Sequence, residues 1–238
     1  MSKVVTFAVN AKGRDFVVAD IHGYFTVLER RLEEVGFDPD CDRVFALGDL
    51  IDRGDESLRA LEFLAQPWFY TVLGNHEYMM IQAVRGGASE QALWLGNGGG
   101  WGLQVTAAER AQLVRWFCRL PLAIEVALAD GRRIGLVHAE LPRLADWRAV
   151  RSILAAIADD DGQLSRYPVM EMLWGRSQVR RGDVDRGLPP VKNIDHVFHG
   201  HTVVPEFVTA GNRTFMELGV FRSGRLGFVE PAVFLGKR

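Results

Sequence analysis

Cysteine is scarce in this 238-residue chain: Cys41 and Cys118 stand far apart and in no metal-ligand spacing. That excludes a disulfide framework or a cysteine-built zinc knuckle and points to a reducing compartment. Excess charge of either sign is lacking too. The net charge is −2 and the pI near 6.3, so no basic surplus exists for tracking along nucleic acid or an anionic membrane. No apolar run approaches the ~18 residues of a membrane span. The N-terminus, MSKVVTFAVNAKGRDF, has no long apolar core ahead of a small-residue cleavage site. A cytoplasmic protein with no nucleic-acid or membrane partner is therefore expected. Repeats and low-complexity segments are absent, and nothing in the pattern sets an oligomeric state. What remains is an ordinary globular composition, 48% apolar and 24% charged, in a length that suits a single domain over residues 1–238.

Short apolar runs alternate with helical spacing through the first third. DFVVAD (15–20), RVFALGD (43–49) and FYTVLGN (69–75) read as buried strands. Between them, Phe25, Leu28, Leu32 and Val35 recur at helical intervals before Gly36, and Leu58, Leu61 and Leu64 do so before Pro67. Such alternation predicts βαβ units and a largely parallel sheet. Thr106 and Glu109 form a capping box ahead of Leu113, Trp116, Phe117 and Leu120. LAIEVAL, an Asp130-Gly131 turn and RRIGLVH predict a hairpin. A helix is expected around Trp147 to Ile157, then an irregular stretch over 159–193 around a short helix near Trp174. DHVFHGH, EFVTA, RTFMEL and GRLGFVE return to strands. The expected fold class is α/β, with mixed β-sheets packed as a sandwich and flanked by helices.

Five short motifs fall at the ends of these strands: Asp20-x-His22-Gly23, Gly48-Asp49-x-x-Asp52-Arg53-Gly54, Gly74-Asn75-His76-Glu77, Val137-His138-Ala139 and Gly200-His201-Thr202. Open α/β sheets collect ligands at the C-terminal ends of their strands. Asp20, His22, Asp49, Asn75, His138 and His201 offer two carboxylates, one amide oxygen and three imidazoles. That mixture suits manganese, iron or zinc better than calcium, which prefers oxygen alone. Six ligands exceed the needs of one open catalytic metal and suit two that share a bridge, for which the central Asp49 is the natural carboxylate.

Together the motifs resemble those of the calcineurin-like metallophosphoesterases, specifically the phosphoprotein phosphatase branch and its small bacterial and phage lambda-type members. The similarity runs nearly the whole length and includes PWF (67–69), NHExMM (75–80) and NGGGW (97–101). It implies two divalent ions, manganese first and iron or zinc as alternatives. Asp20, His22 and Asp49 would hold one; Asp49, Asn75, His138 and His201 would hold the other. It implies His76 as general acid paired with Asp52, and Arg53 with Arg176 as the phosphate clamp. The implied reaction is hydrolysis of a phosphorylated protein or small phosphoester by direct attack of a metal-bound hydroxide. Consistent with that, the chain has no Cys-x5-Arg loop, and Asp38-Pro39-Asp40 precedes a strand instead of following one. A serine/threonine-type protein phosphatase, of narrow or broad specificity, is thus the leading expectation. A symmetrical diadenosine tetraphosphate hydrolase is the alternative, although Asp52 and Glu77 favour the phosphatase branch. A non-catalytic scaffold would have lost ligands or the acid, and none is lost.

Other features read as structural. His199 alternates onto the face of His201; it is a candidate further ligand, with a packed, hydrogen-bonded histidine the preferred reading. His196 points the other way. Gly182 to Gly187 mimics the central motif without a preceding strand, Gly96 to Gly102 lacks a P-loop ending, and the tryptophans at helical spacing are assigned to the core. Leu73 and Ala139-Glu140 depart from the resembled pattern.

Overall fold

Alternating residues of the central strands serve two cores. The computed structural model describes residues 3–142, 146–157, 167–180 and 188–236. Strands β2 (Asp15–Val18), β3 (Arg43–Ala46) and β4 (Phe69–Thr71) run parallel, and β10 (Phe228–Val229) joins the edge of β2 antiparallel. Along β2 and β3, Phe16, Val18, Val44 and Ala46 face the helical core. Their neighbours Val17, Ala19, Phe45 and Leu47 turn to the opposite core, where they meet Ile124, Val126, Ile134, Leu136 and Phe198 of the other sheet. The period-2 pleat thus accounts for the sandwich: one sheet buried on both faces must read as a continuous apolar run.

The second sheet has the order β1-β5-β6-β7-β9-β8. Its strands are β1 (Val4–Phe7), β5 (Ala123–Ala127), β6 (Arg133–Val137), β7 (His196–His199), β8 (Val208–Ala210) and β9 (Arg213–Phe215). The expected hairpin is the antiparallel β5–β6 pair, while β6, β7 and β9 run parallel. Strand β1 is an addition to the sequence reading; it pairs parallel with β5.

The helices follow from the periodicities. α1 (Phe25–Glu34) buries Phe25, Leu28 and Leu32, and Gly36 ends it at φ 59°, a conformation a β-carbon disfavours. A short 3-10 turn at 57–59 leads into α2 (Ala60–Leu64). α3 (Asn75–Arg85) and α4 (Ala88–Gly96) pack against each other, and Thr106 accepts the Glu109 amide at the start of α5 (Ala107–Phe117), as a capping box requires. Beyond β6, α6 (Trp147–Ala156) is the helix expected around Trp147 to Ile157, α7 (Tyr167–Trp174) is the short helix expected near Trp174, and α8 (Ser177–Arg180) is an addition within the stretch read as irregular. The Gly182 to Gly187 look-alike lies outside the described residues. Two short helices, α9 (Val220–Ser223) and α10 (Pro231–Gly236), close the chain.

Candidate metal centre

The six ligand candidates Asp20, His22, Asp49, Asn75, His138 and His201 arrive at one place, the C-terminal edge of both sheets, and all are buried. Asp20 follows β2, Asp49 follows β3, Asn75 and His76 open α3 after β4, His138 follows β6 and His201 follows β7. Asp49 is central. Its Oδ2 lies 3.7 Å from His22 Nε2 and 3.8 Å from His76 Nε2, whereas its Oδ1 lies 3.4 Å from His138 Nε2. One carboxylate therefore faces two groups of donors, one oxygen to each.

Backbone carbonyls orient the imidazoles. His22 Nδ1 bonds the Ile51 carbonyl at 3.1 Å and His138 Nδ1 that of Leu47 at 2.7 Å. A carbonyl only accepts, so each Nδ1 carries the proton and each Nε2 presents a lone pair. The His138 lone pair then faces Asn75 Oδ1 at 2.9 Å and His201 Nδ1 at 3.1 Å. The Asn75 oxygen and the His138 lone pair are both acceptors, and two acceptors opposed at such a distance are the arrangement a cation relieves. Separations of 3 to 4 Å also suit donors sharing one ion at roughly 2.0–2.2 Å from each. On the other side, His22 Nε2 lies 3.8 Å from Asp20 Oδ2. The donor set therefore fits divalent cations: Asp20, His22 and Asp49 could hold one, and Asp49, Asn75, His138 and His201 another.

The electrostatics agree with that fit. Burial, then Glu217 and Asp49, push the Asp20 carboxyl well above its ordinary range. Burial would raise Asp49 as well, but the surrounding His138, His76 and His22 rings hold it far below. Burial lowers His22, His138 and His201. The neutral imidazoles would bind metal without first shedding protons, whereas a cation beside Asp20 would favour loss of its proton. Close approach matters here: a β-carbon at Gly200 would sit 2.2 Å from Asp20 Oδ1, and the neighbouring His201 amide donates to both Asp20 oxygens at 3.1 Å.

His76 differs from the other rings. Its Nδ1 lies 2.6 Å from Asp52 Oδ2 and its Nε2 3.0 Å from Arg53 Nη2. Asp52 is wholly buried and also accepts the Trp101 indole N–H at 2.8 Å and the Trp94 indole N–H at 3.1 Å. Burial alone would depress the His76 pKa; Asp49 and Asp52 outweigh it and raise it. Arg53 Nη1 reaches His22 Nε2 at 2.8 Å, and its guanidinium stacks 4.1 Å from the Phe221 ring centroid. Arg176 donates to the His201 carbonyl at 3.0 Å. Arg53 and Arg176 line one cavity of about 750 Å³ above the cluster.

Several supporting residues escaped the sequence reading. Trp94 and Trp101, assigned to the core, are also the indole donors that brace Asp52. Glu77 is fully buried and accepts the amides of Asp49, Leu50 and Gly74 at 2.8–3.0 Å, tying the central motif to the start of α3. Glu140 accepts the Gln178 amide at 2.5 Å and the Ser177 hydroxyl at 3.0 Å, fixing the segment next to Arg176. Buried Glu217 accepts the Gly219 amide beside the cluster. The only available signal was position, since each lies within three residues of a motif or at a strand end. His199 is packed: its Nδ1 donates to the Ala139 carbonyl at 2.6 Å, its ring stacks on Phe215, and burial takes its pKa down to about 3. His196 faces away and bonds Thr214.

Comparison with known proteins matches this geometry to a class. The family profile of calcineurin-like phosphoesterases fits residues 16–205, and the chain belongs to that family. It is 32% identical over 217 residues to "Serine/threonine-protein phosphatase 2" of Salmonella typhimurium, covering 90% of each chain. It is also 33% identical over 139 residues to "Bis(5'-nucleosyl)-tetraphosphatase, symmetrical" of Dechloromonas aromatica, covering 58% of this chain and 46% of that one. A solved serine/threonine phosphatase from Saccharomyces cerevisiae shares the fold, with a TM-score of 0.62 at 19% identity over 91% of this chain and 71% of that one. The protein is thus a metallophosphoesterase, a hydrolytic enzyme of a family that uses divalent metals.

Proposed function

We propose that the protein is a phosphomonoesterase working with two divalent cations, manganese the first expectation, on phosphoserine and phosphothreonine in proteins. The observation that carries this reading is the acid pair. A buried His76 held by Asp52, with its pKa raised, sits beside the Arg53 guanidinium that would bind the phosphoryl group. A serine or threonine alkoxide is a poor leaving group and gains most from a positioned proton donor.

When bound, the cations supply Lewis acidity, which yields a water-derived nucleophile at neutral pH and offsets phosphoryl charge. Asp49 would bridge them; Asp20 and His22 would complete one side, Asn75, His138 and His201 the other. His76 also lies close to Asp49 and His22, but its Nδ1 is committed to Asp52, which suits a proton carrier better than a ligand. Arg53 and Arg176 would hold the phosphoryl oxygens from the cavity side, with the planar fork that two oxygens require. His76 Nε2 accepts from Arg53 while that guanidinium lies against it; with Arg53 turned to the phosphoryl oxygens, the same nitrogen would carry the proton delivered to the departing oxygen while Asp52 stabilises the ring's charge.

The likeness to a dinucleoside tetraphosphatase supports a second reading, cleavage of a phosphoanhydride. Its leaving nucleotide needs no proton, so the braced acid favours the ester. Turnover of phosphoserine and phosphothreonine peptides, p-nitrophenyl phosphate and diadenosine tetraphosphate should be compared with added manganese and with chelator. Preference for the peptides, abolished by chelator, is expected; preference for the dinucleotide would replace the first reading with the second.

A further inference from the structure

Three guanidinium groups line the cavity above the candidate centre, and two suffice for the phosphoryl group. Beside Arg53 and Arg176 stands Arg222, and no carboxylate is among the described residues that line the space. A phosphoryl group carries about −1.5 to −2 charges, and it fills a small part of 750 Å³. The cavity therefore offers both charge and room beyond the scissile group.

The position of Arg222 is fixed by its neighbours. Phe221 meets His22 edge-on at 5.2 Å between ring centroids, and its ring lies 4.1 Å from the Arg53 guanidinium carbon and 5.2 Å from that of Arg222. Two guanidiniums anchored to one ring lie no more than roughly 9 Å apart. The α9 turn that carries Phe221 and Arg222 is braced on both sides. Ser223 Oγ donates to the Leu218 carbonyl at 2.8 Å, and Arg225 pairs with Glu206 at 3.1 Å, which also occupies that carboxylate. Arg222 itself is exposed.

We propose that Arg222 is a specificity-determining residue: it reads a second anionic group, an acidic side chain within two or three residues of the phosphorylated one, so that acidic phosphopeptides are the preferred substrates. An extended peptide advances ~3.3–3.6 Å per residue, so a spacing of up to 9 Å corresponds to neighbouring side chains and their reach. This inference rests on the protein-phosphatase reading above.

The test uses two phosphoserine peptides that differ only in glutamate or glutamine two residues from the phosphoserine. At low salt the wild-type protein should favour the acidic peptide about five-fold in kcat/KM, the size of a partly exposed ion pair, and the preference should shrink at high salt. Arg222→Gln should bring the ratio near one. Arg222→Glu should invert it, favouring the neutral peptide. Both peptides hydrolysed with an unshifted ratio in the variants would overturn this inference alone. Neither peptide hydrolysed, while diadenosine tetraphosphate is, would overturn the protein-phosphatase reading and this inference with it.

Discussion

Replacing Asp52 by asparagine keeps the shape of the side chain and removes its charge. In the structure that carboxylate accepts three N–H groups, from His76, Trp94 and Trp101, with no exposure to water. An amide there turns one oxygen into a donor that faces donors, and the imidazolium of His76 loses its counter-charge. General acid catalysis contributes ~10²–10⁴-fold, which at ~1.4 kcal/mol per decade is about 3–5 kcal/mol of barrier. The whole of that contribution matters only when the departing oxygen is basic. Asp52→Asn should therefore lose ~10²–10⁴-fold in kcat on a phosphoserine peptide. On p-nitrophenyl phosphate, whose phenolate leaves unaided, the loss should be ~10-fold or less. Steady-state kinetics on both substrates, with bound metal quantified by elemental analysis, make the comparison. Equal losses on the two substrates with metal content intact would refute the proton-donor role and leave Asp52 a purely architectural group.

The remaining expectations concern its surroundings. Trp101→Phe removes the 2.8 Å donor to Asp52 and should cost about 1 kcal/mol of stability in denaturant unfolding, with a kcat loss that is again larger for the alkyl ester; wild-type values for both would remove Trp101 from the acid's support. Gly200→Ala places a carbon against Asp20 Oδ1 and should weaken metal affinity ~10–100-fold by titration calorimetry; an unchanged isotherm would detach Asp20 from the centre. His199 stays neutral in the fold to about pH 3 while the unfolded ring protonates below ~6.5. The unfolded state thus takes up the proton first, and stability falls as pH drops through that window, by about 2 kcal/mol at pH 5. In His199→Phe the fall in unfolding free energy between pH 7 and pH 5 should be smaller by about that amount, and an identical fall would contradict the buried neutral ring.

Much of this was legible because the information is local. Phe16 to Ala19 and Val44 to Leu47 read as buried strands since both faces of their sheet are covered. Asp130-Gly131 marked its own hairpin, and Thr106 with Glu109 marked a helix start. The ligand motifs were readable because each sits where a strand stops. What escaped depends on partners far away in sequence. Strand β1 has only four residues and gains its identity from β5, more than a hundred positions later. Trp94 and Trp101 donate to Asp52 across more than forty residues, and nothing in helical spacing distinguishes such an indole from a core filler. Phe221 and Arg222 sit on a four-residue helix too short for any periodicity to declare.

Backbone conformation ties these threads together. Among the described residues, six that are not glycine adopt positive φ, and five of them are His22, Asp49, Asp52, Arg53 and His201. The sixth, Asn193, is a residue type that tolerates the left-handed region. Such conformations cost on the order of 1 kcal/mol or more apiece and persist only where surrounding structure over-determines them. Here that structure is visible. Glu77 holds the Asp49 amide, the Asp49 carbonyl receives the His22 amide at 2.8 Å, Ser57 holds the Asp52 amide at 2.9 Å and Asp20 holds that of His201. His22, Asp49 and His201 are each gripped by a residue of another motif, so none of these three reaches its conformation alone. That mutual dependence gives a physical reason for four of the motifs, each uninformative by itself, to read as one centre when found together.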